Sequence, residues 1–291
     1  MQRLEIDTAA GRFSALQWGS ASADAPRLHF AHATGMNAGL YARLLAPLAD
    51  RYRILASDAR GHGRTAALRP GAVPGDQVAW DDFAGDLLSL VDAVDPHARW
   101  LLAGHSMGGT TSLLAAVQRP DRVAGLVLLD PPFIPFAIAR AARASRATIP
   151  NPMADQAGRR RADFADVATA RAAWHGRGVF RDWANADLDA YLADGLLPSD
   201  DGVTLACAPA WEAATFRGVT LDFEPALQSL ERPFALIAGE HGSTVPAAEF
   251  AIIAAHPRCL RAERLAGTSH FVPLQRPDAV AAAIDAVAAA A

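Results

Sequence analysis

The stretch RWLLAGHSMGGTTSLLAAVQRP, residues 99 to 120, constrains this chain more than any other. An apolar run of strand length gives way to a helical pattern with almost no spacer between them. At the junction, Gly104-His105-Ser106-Met107-Gly108 fits the pattern G-x-S-x-G. A strand that turns directly into a helix puts the serine in a strained backbone conformation. Small residues at 104 and 108 let the two elements pass that close. The turn lifts the hydroxyl out of the sheet, and the helix starting at Met107 aims its amino end at any negative charge forming nearby. Ser106 is therefore read as a nucleophile in preference to a helix cap.

The same alternation runs through most of the chain. RLEID (3–7) and FSALQWG (13–19) read as a short antiparallel pair, and RLHFAHA (27–33) as a buried strand. AGLYARLLAPLA follows, with Leu40, Leu44, Leu45 and Leu48 at helical spacing. YRILASDARGHG is again a strand with a glycine-rich loop, and Trp80 to Val94 an amphipathic helix with Phe83, Leu87, Leu88 and Val91 on one side. After the 99–120 unit comes the strand VAGLVLLD. Near the end, PFALIAG (233–239), a helix at 246–255, the strand LRAERLAG and the helix DAVAAAIDAVAAA complete the series. Such alternation predicts an α/β fold, a mainly parallel doubly wound sheet covered by helices on both faces. Sites in such sheets lie at the carboxyl ends of the strands, where Ser106 falls.

The alternation breaks at PPFIPF. Residues 133–228 are rich in alanine and arginine, with helical stretches at 137–147, 155–175 and 186–194 and no strand pattern. They read as a helical cap inserted into a core formed by residues 1–132 and 229–291.

Composition narrows the chemistry. The 291 residues, 51% hydrophobic and 20% charged, suffice for one large core, and a net charge of −4 offers no basic face to a nucleic acid backbone. All 27 basic residues are arginines, so Schiff-base, pyridoxal phosphate and P-loop lysine chemistry are excluded together. Cys207 and Cys259 lie far apart without C-x-x-C spacing and read as reduced thiols. With neither signal-peptide nor membrane-span patterns, a soluble cytoplasmic monomer or homodimer is expected, with no nucleic acid or membrane partner. No residues show metal-ligand spacing, and neither metal nor cofactor is expected.

A serine hydroxyl at neutral pH needs a base, and the base an orienting acid. LAGTSHFVPLQRPDAV places His270 directly after a strand and a small-residue loop, from where it can fold back over the sheet edge to Ser106. His32 and His62 lie in other strand-end loops, and His105 in the turn itself.

These segments together resemble the α/β-hydrolase superfamily, in its serine-nucleophile, esterase-like branch with a helical cap. FAHATGMNAGLY is similar to its H-G-x loop, SDARGHGRT to its D-x-R-G-H-G loop, AGHSMGG to its nucleophile elbow, LVLLDPP to its sixth strand, and GTSHFVPLQRPDAV to its histidine loop. The family usually carries its acid in a G-x-x-D turn after the strand corresponding to PFALIAG. Here that turn is Gly239-Glu240-His241-Gly242, with glycine in the acid's place. Asp130, closing GLVLLD, is the acid that the resemblance favours, since some members take theirs there; Glu240 is the reserve. The resemblance also implies an oxyanion hole of Met107 and Thr34 backbone N–H groups, with Ala33 where glycine is usual. It makes Asp58, Arg60 and His62 a structural loop bracing the elbow.

The expected activity is hydrolysis of small to medium apolar carboxylic esters through an acyl-enzyme on Ser106, a small-molecule ester being the substrate. The inserted segment would supply the pocket. Phe133, Phe136, Trp183 and Trp211, with Phe271 beside the histidine, are candidate substrate contacts, and Trp174, Phe180 and Phe216 belong to the same aromatic set. GRRR at 158–161 reads as a solvated helix face or an attractor of anionic substrate. Carbon–carbon hydrolysis, lactone opening and cofactor-free peroxidase chemistry remain alternatives on the same triad. So does a ligand-binding protein with an impaired triad.

Overall fold

Long apolar runs become central strands, and mixed runs become edges. The computed structural model describes residues 1–19, 22, 24–69 and 71–291. Its main sheet is built from β1 (Gln2–Thr8), β2 (Gly11–Gly19), β3 (Arg27–Ala31), β4 (Arg53–Ser57), β5 (Trp100–His105) and β6 (Val123–Leu129). After three short strands, β7 (Asp163–Phe164), β8 (Leu196–Ser199) and β9 (Gly202–Leu205), it is completed by β10 (Phe234–Gly239) and β11 (Cys259–Leu265). The eight strands lie in the order β1-β2-β4-β3-β5-β6-β10-β11. β1 pairs antiparallel with β2, as does β2 with β4; from β4 to β11 every pairing is parallel. Every residue of β5 and β10 is buried, whereas β1 and β11 at the edges are largely part-exposed.

Helices cover both faces. Leu101 and Ala103 of β5 point into one apolar layer with Val280, Ile284 and Val287 of the helix Pro277–Ala290. Trp100 and Leu102 point into the other, with Phe83 and Leu87 of the helix Trp80–Val94 and Leu113 and Leu114 of the helix Met107–Gln118. Each such leucine contributes about 1.5–3 kcal/mol by leaving water. The chain passes from β3 outward to β4 and then back across β3 to β5, so the strand order reverses between β3 and β5. The crevice at such a reversal is where open α/β sheets bind ligands.

Two expectations need correction. Residues 133–228 are not helical throughout, because β7, β9 and β8 form a three-stranded antiparallel sheet there, interrupting the helix expected over 155–175. These strands are two to four residues long, too short to show alternation. Their one signal is Asp200-Asp201-Gly202: Ser199 pairs with Gly202 across a tight turn, and Gly202 has φ 138°. The helix expected over AGLYARLLAPLA divides into 3₁₀ turns at Ala38–Tyr41 and Ala46–Leu48 around a single α turn, Ala42–Leu45. Pro47 has no N–H with which to continue a longer helix. Among the described residues, no helix is long and apolar enough to cross a membrane.

Candidate active site

Sterics place Ser106. Its φ of 54° and ψ of −125° lie outside the ordinary regions for a side-chain-bearing residue. Its N–H donates to Leu129 O at 2.8 Å, tying the turn to the end of β6. A Cβ on Gly104 would fall on the backbone of Gly108, and one on Gly108 on the carbonyl of Ala31, so both positions exclude a side chain. The serine makes no capping hydrogen bond to the helix it precedes, which leaves its hydroxyl uncommitted to that role.

His270 arrives from the loop after β11. That loop is held against the end of β10, where Glu240 N–H and His241 N–H each donate to Thr268 O at 2.9 Å. A Cβ on Gly239 would strike the carbonyl of Ser269. The His270 ring lies 4.8 Å from the His105 ring, which brings it beside the turn that carries Ser106. Its Nδ1 is 3.3 Å from Asp130 Oδ1. The contact is close but poorly aligned, so Nδ1 lacks a well-formed hydrogen bond. Long or misaligned bonds of this kind tighten when a substrate binds.

Asp130 is fully buried, at φ 46°. Its carboxylate accepts Gly239 N–H (2.8 Å), Thr244 N–H (2.7 Å), Thr244 Oγ1–H (2.7 Å) and Ser243 Oγ–H (3.1 Å). Burial alone would push this carboxyl up; the His270 ring and the donors outweigh it and hold the group below the usual carboxylate range. The loop with glycine in the acid's place thus supplies the donors that cradle an acid from the neighbouring strand. Glu240 is turned elsewhere. Its side chain is 47% exposed, accepts Gly267 N–H at 2.8 Å and lies 3.1 Å from His241 Nε2.

Thr34 follows β3, across the crevice from Ser106. Neither Thr34 N–H nor Met107 N–H finds an acceptor among the described residues, whereas Ala33 N–H donates to Tyr41 Oη. Among those residues, the non-glycines with positive φ are Ser106, Asp130 and Arg146, so Ala33 takes ordinary backbone angles.

The candidate aromatic contacts separate into groups. Phe133 and Phe136 stack with Phe223, at 4.5 Å between Phe133 and Phe223, in the layer beneath the helix Met107–Gln118. Trp211 covers Gly61 and donates Nε1–H to Ala72 O at 3.1 Å. Trp183 and Phe271 are the pair that reaches the imidazoles: Trp183 packs edge-on against Phe271 at 5.1 Å, and Phe271 against His270 at 5.5 Å. Trp174 and Phe180 stack at 5.3 Å beside Tyr191.

The loop after β4 is tied inward. Asp58 accepts Ala38 N–H (2.8 Å) and Arg64 N–H (2.9 Å), and burial raises its carboxyl to about 6. Arg60 makes a two-pronged pair with Asp86, and His62 Nδ1–H donates to Arg60 O at 2.9 Å. A partly open recess beside the elbow touches His29, Ser57, Asp86 and Met107.

One member of GRRR does not lie on a solvated helix face. Arg160, from GRRR, turns inward to pair with Glu212 and sits beside Tyr191. A Cβ on Gly35, next to Thr34, would lie 2.7 Å from Glu212 Oε1 and 3.6 Å from Arg160 Nη1. No local pattern distinguishes this arginine from its neighbours; only the fold brings position 160 to position 35.

The family model for the alpha/beta hydrolase fold matches residues 26–277. A 2-(acetamidomethylene)succinate hydrolase of Mesorhizobium japonicum is 29% identical over 262 residues, covering 89% of this chain and 86% of that protein. A 3-oxoadipate enol-lactonase of Acinetobacter baylyi is 26% identical over 286 residues, covering 97% and 96%. The crystal structure of an E-2-(acetamidomethylene)succinate hydrolase superposes with a TM-score of 0.80 at 25% identity, covering 99% of each chain.

Proposed function

The chain belongs to the α/β-hydrolase fold family and is a hydrolase, and from that premise we propose that it cleaves carboxylic esters of small to medium apolar substrates through an acyl-enzyme on Ser106. Ser106 Oγ attacks the acyl carbonyl. His270 takes the proton at Nε2 and returns it to the leaving alcohol, while Asp130 faces Nδ1 and balances the imidazolium. The free N–H groups of Thr34 and Met107 receive the oxyanion; one such donor is worth about 10²- to 10³-fold in kcat. Water, activated by His270, then releases the acid. Trp183 and Phe271 supply the apolar wall nearest the base.

The observation that carries this proposal is the Asp130–His270 contact of 3.3 Å, made over a turn that strains Ser106 to φ 54°. The same contact sets an acid beside His270 although glycine stands at 242, and so favours a working triad over an impaired, ligand-binding site. The test is hydrolysis of p-nitrophenyl esters from acetate to decanoate by wild type and Ser106→Ala. Turnover abolished by the substitution is expected, with the chain-length profile sizing the pocket. Equal rates in both proteins, or no ester cleaved by the wild type, would sink the proposal.

A second reading is favoured by Arg160. Its guanidinium lies near the Thr34–Gly35 loop, where it could meet a substrate carboxylate, and two relatives of nearly full coverage are named for a succinate and an oxoadipate enol-lactone. Opening of an acid-bearing lactone or enol ester would use the same serine chemistry. On this reading, wild type prefers the half-ester of a dicarboxylic acid to the neutral diester, and Arg160→Gln abolishes the preference.

A further inference from the structure

Two buried side chains outside the proposed triad connect its parts. Tyr41 and His105 are both fully buried. His105 Nε2 lies 2.8 Å from the carbonyl oxygen of His270. A carbonyl can only accept, so Nε2 carries the proton and Nδ1 is bare. Nδ1, 2.8 Å from Tyr41 Oη, must then accept the phenolic proton. With that proton committed, Tyr41 Oη is left to accept Ala33 N–H at 3.2 Å. The carbonyl thus sets the direction of two consecutive hydrogen bonds, and the Ala33 N–H, which can only donate, is consistent with both.

We infer that Tyr41 and His105 are positioning residues, which hold the oxyanion loop and the backbone of His270 in register through the residue preceding the nucleophile. At one end, Tyr41 occupies Ala33 N–H and leaves the next N–H, that of Thr34, free to face the crevice. At the other, His105 holds the main chain of His270, while the ring lies against Asp130. Packing fixes both side chains, with Phe30 at 4.6 Å from the Tyr41 ring and Phe271 edge-on to His105 at 5.7 Å. Burial lowers His105 to about 3, the adjacent His270 adding to the effect, and pushes the Tyr41 phenol up. Both links therefore stay neutral, and His105 adds no like charge when His270 becomes an imidazolium.

This inference rests on the Ser106–His270 chemistry proposed above, so its test has one arm that needs no turnover. In the full chain labelled with ¹⁵N-histidine, NMR between about pH 5 and 8 is expected to show His105 as the Nε2–H tautomer without titration. An Nδ1–H tautomer, or a ring that titrates in that range, overturns the relay whatever the enzyme's activity. The second arm compares kcat and KM on an ester that the wild type cleaves. Tyr41→Phe and His105→Leu are expected to lower kcat about 10- to 100-fold with KM within about twofold. His105→Gln, whose amide can accept from Tyr41 and donate to the carbonyl, keeps kcat within about threefold. Wild-type kcat in Tyr41→Phe, or His105→Gln as impaired as His105→Leu at unchanged Tm, overturns the assignment. A wild type that cleaves no ester counts against the ester-cleavage proposal, and the tautomer then decides the relay alone.

Discussion

The turn at Ser106 and the segment 133–228 both contribute to the crevice above β3 and β5, but they are held by opposite means. At the turn, backbone packs on backbone: Gly104 against Gly108, and Gly108 against Ala31, with no room for a Cβ at either glycine. The segment is fastened by side chains. Arg43 pairs with Asp187 at 2.9 Å, Arg64 with Asp194 at 2.9 Å and Arg160 with Glu212, while Asn37 Nδ2–H donates to Tyr191 O at 2.9 Å. Backbone contacts define positions to fractions of an ångström, as a nucleophile requires. Paired side chains hold the segment less rigidly where one partner is partly exposed, as Arg43 and Arg64 are.

The sharpest way to break this contrast is at the acid, where the two regions' logic could be confused. Asp130→Asn is expected to lower kcat by about 10⁴-fold, because the amide cannot balance the imidazolium, and to lower Tm as well, because its NH2 must face the N–H of Gly239 or Thr244. Glu240→Gln is expected to leave kcat within about twofold. The reverse ranking in steady-state kinetics would move the acid to the loop after β10.

Next in size is the backbone packing itself. Gly108→Val places a branched side chain on the Ala31 carbonyl, and a loss exceeding about 4 kcal/mol is expected from urea unfolding. A folded variant of near-native stability would mean that the elbow yields, and the contrast with the segment would fail.

Acid should destabilise the sheet side through its buried histidines. Burial lowers His29, His32 and His105 to about 3 and His62 to about 4. Each is neutral in the folded protein and protonates in the unfolded chain below about 6.5, so stability falls as pH drops through that value, by about 1.4 kcal/mol per unit for each ring. Asp58, raised to about 6, works in the opposite sense between about 6 and 3.8 and offsets roughly one ring. Tm measured from pH 7.5 to 5 should therefore decline; a flat profile would contradict the neutral buried rings.

The smallest effect is expected in the segment. Arg43→Met removes the partner of Asp187, but the arginine is 47% exposed and solvent screens the pair, so about 1–2 kcal/mol is expected. A loss as large as that of Gly108→Val would show the side-chain fasteners to be as critical as the turn.

Sequence legibility follows the same division. The turn at 104–108 could be read because its constraint is local: strand, glycine, serine and helix are consecutive, and their sterics do not depend on what lies elsewhere. The long strands and the helix Trp80–Val94 showed for the same reason, each carrying its own periodicity. β7, β8 and β9 did not, since strands of two to four residues exist by pairing with one another. Arg160 was indistinguishable from Arg159 and Arg161 until the chain was folded.

By itself, then, the sequence determined the sheet-and-helix alternation, the strained serine and the place of His270 in the loop after β11, since these arise from neighbouring residues. Tertiary structure alone decided that Asp130 faces His270 while Glu240 does not, that Gly242 opens a loop whose Ser243 and Thr244 turn back on Asp130, and that Tyr41 joins Ala33 to His105. Those contacts span 8 to 140 residues of chain, and hydrogen bonds at such separations exist only where packing has already brought the groups together.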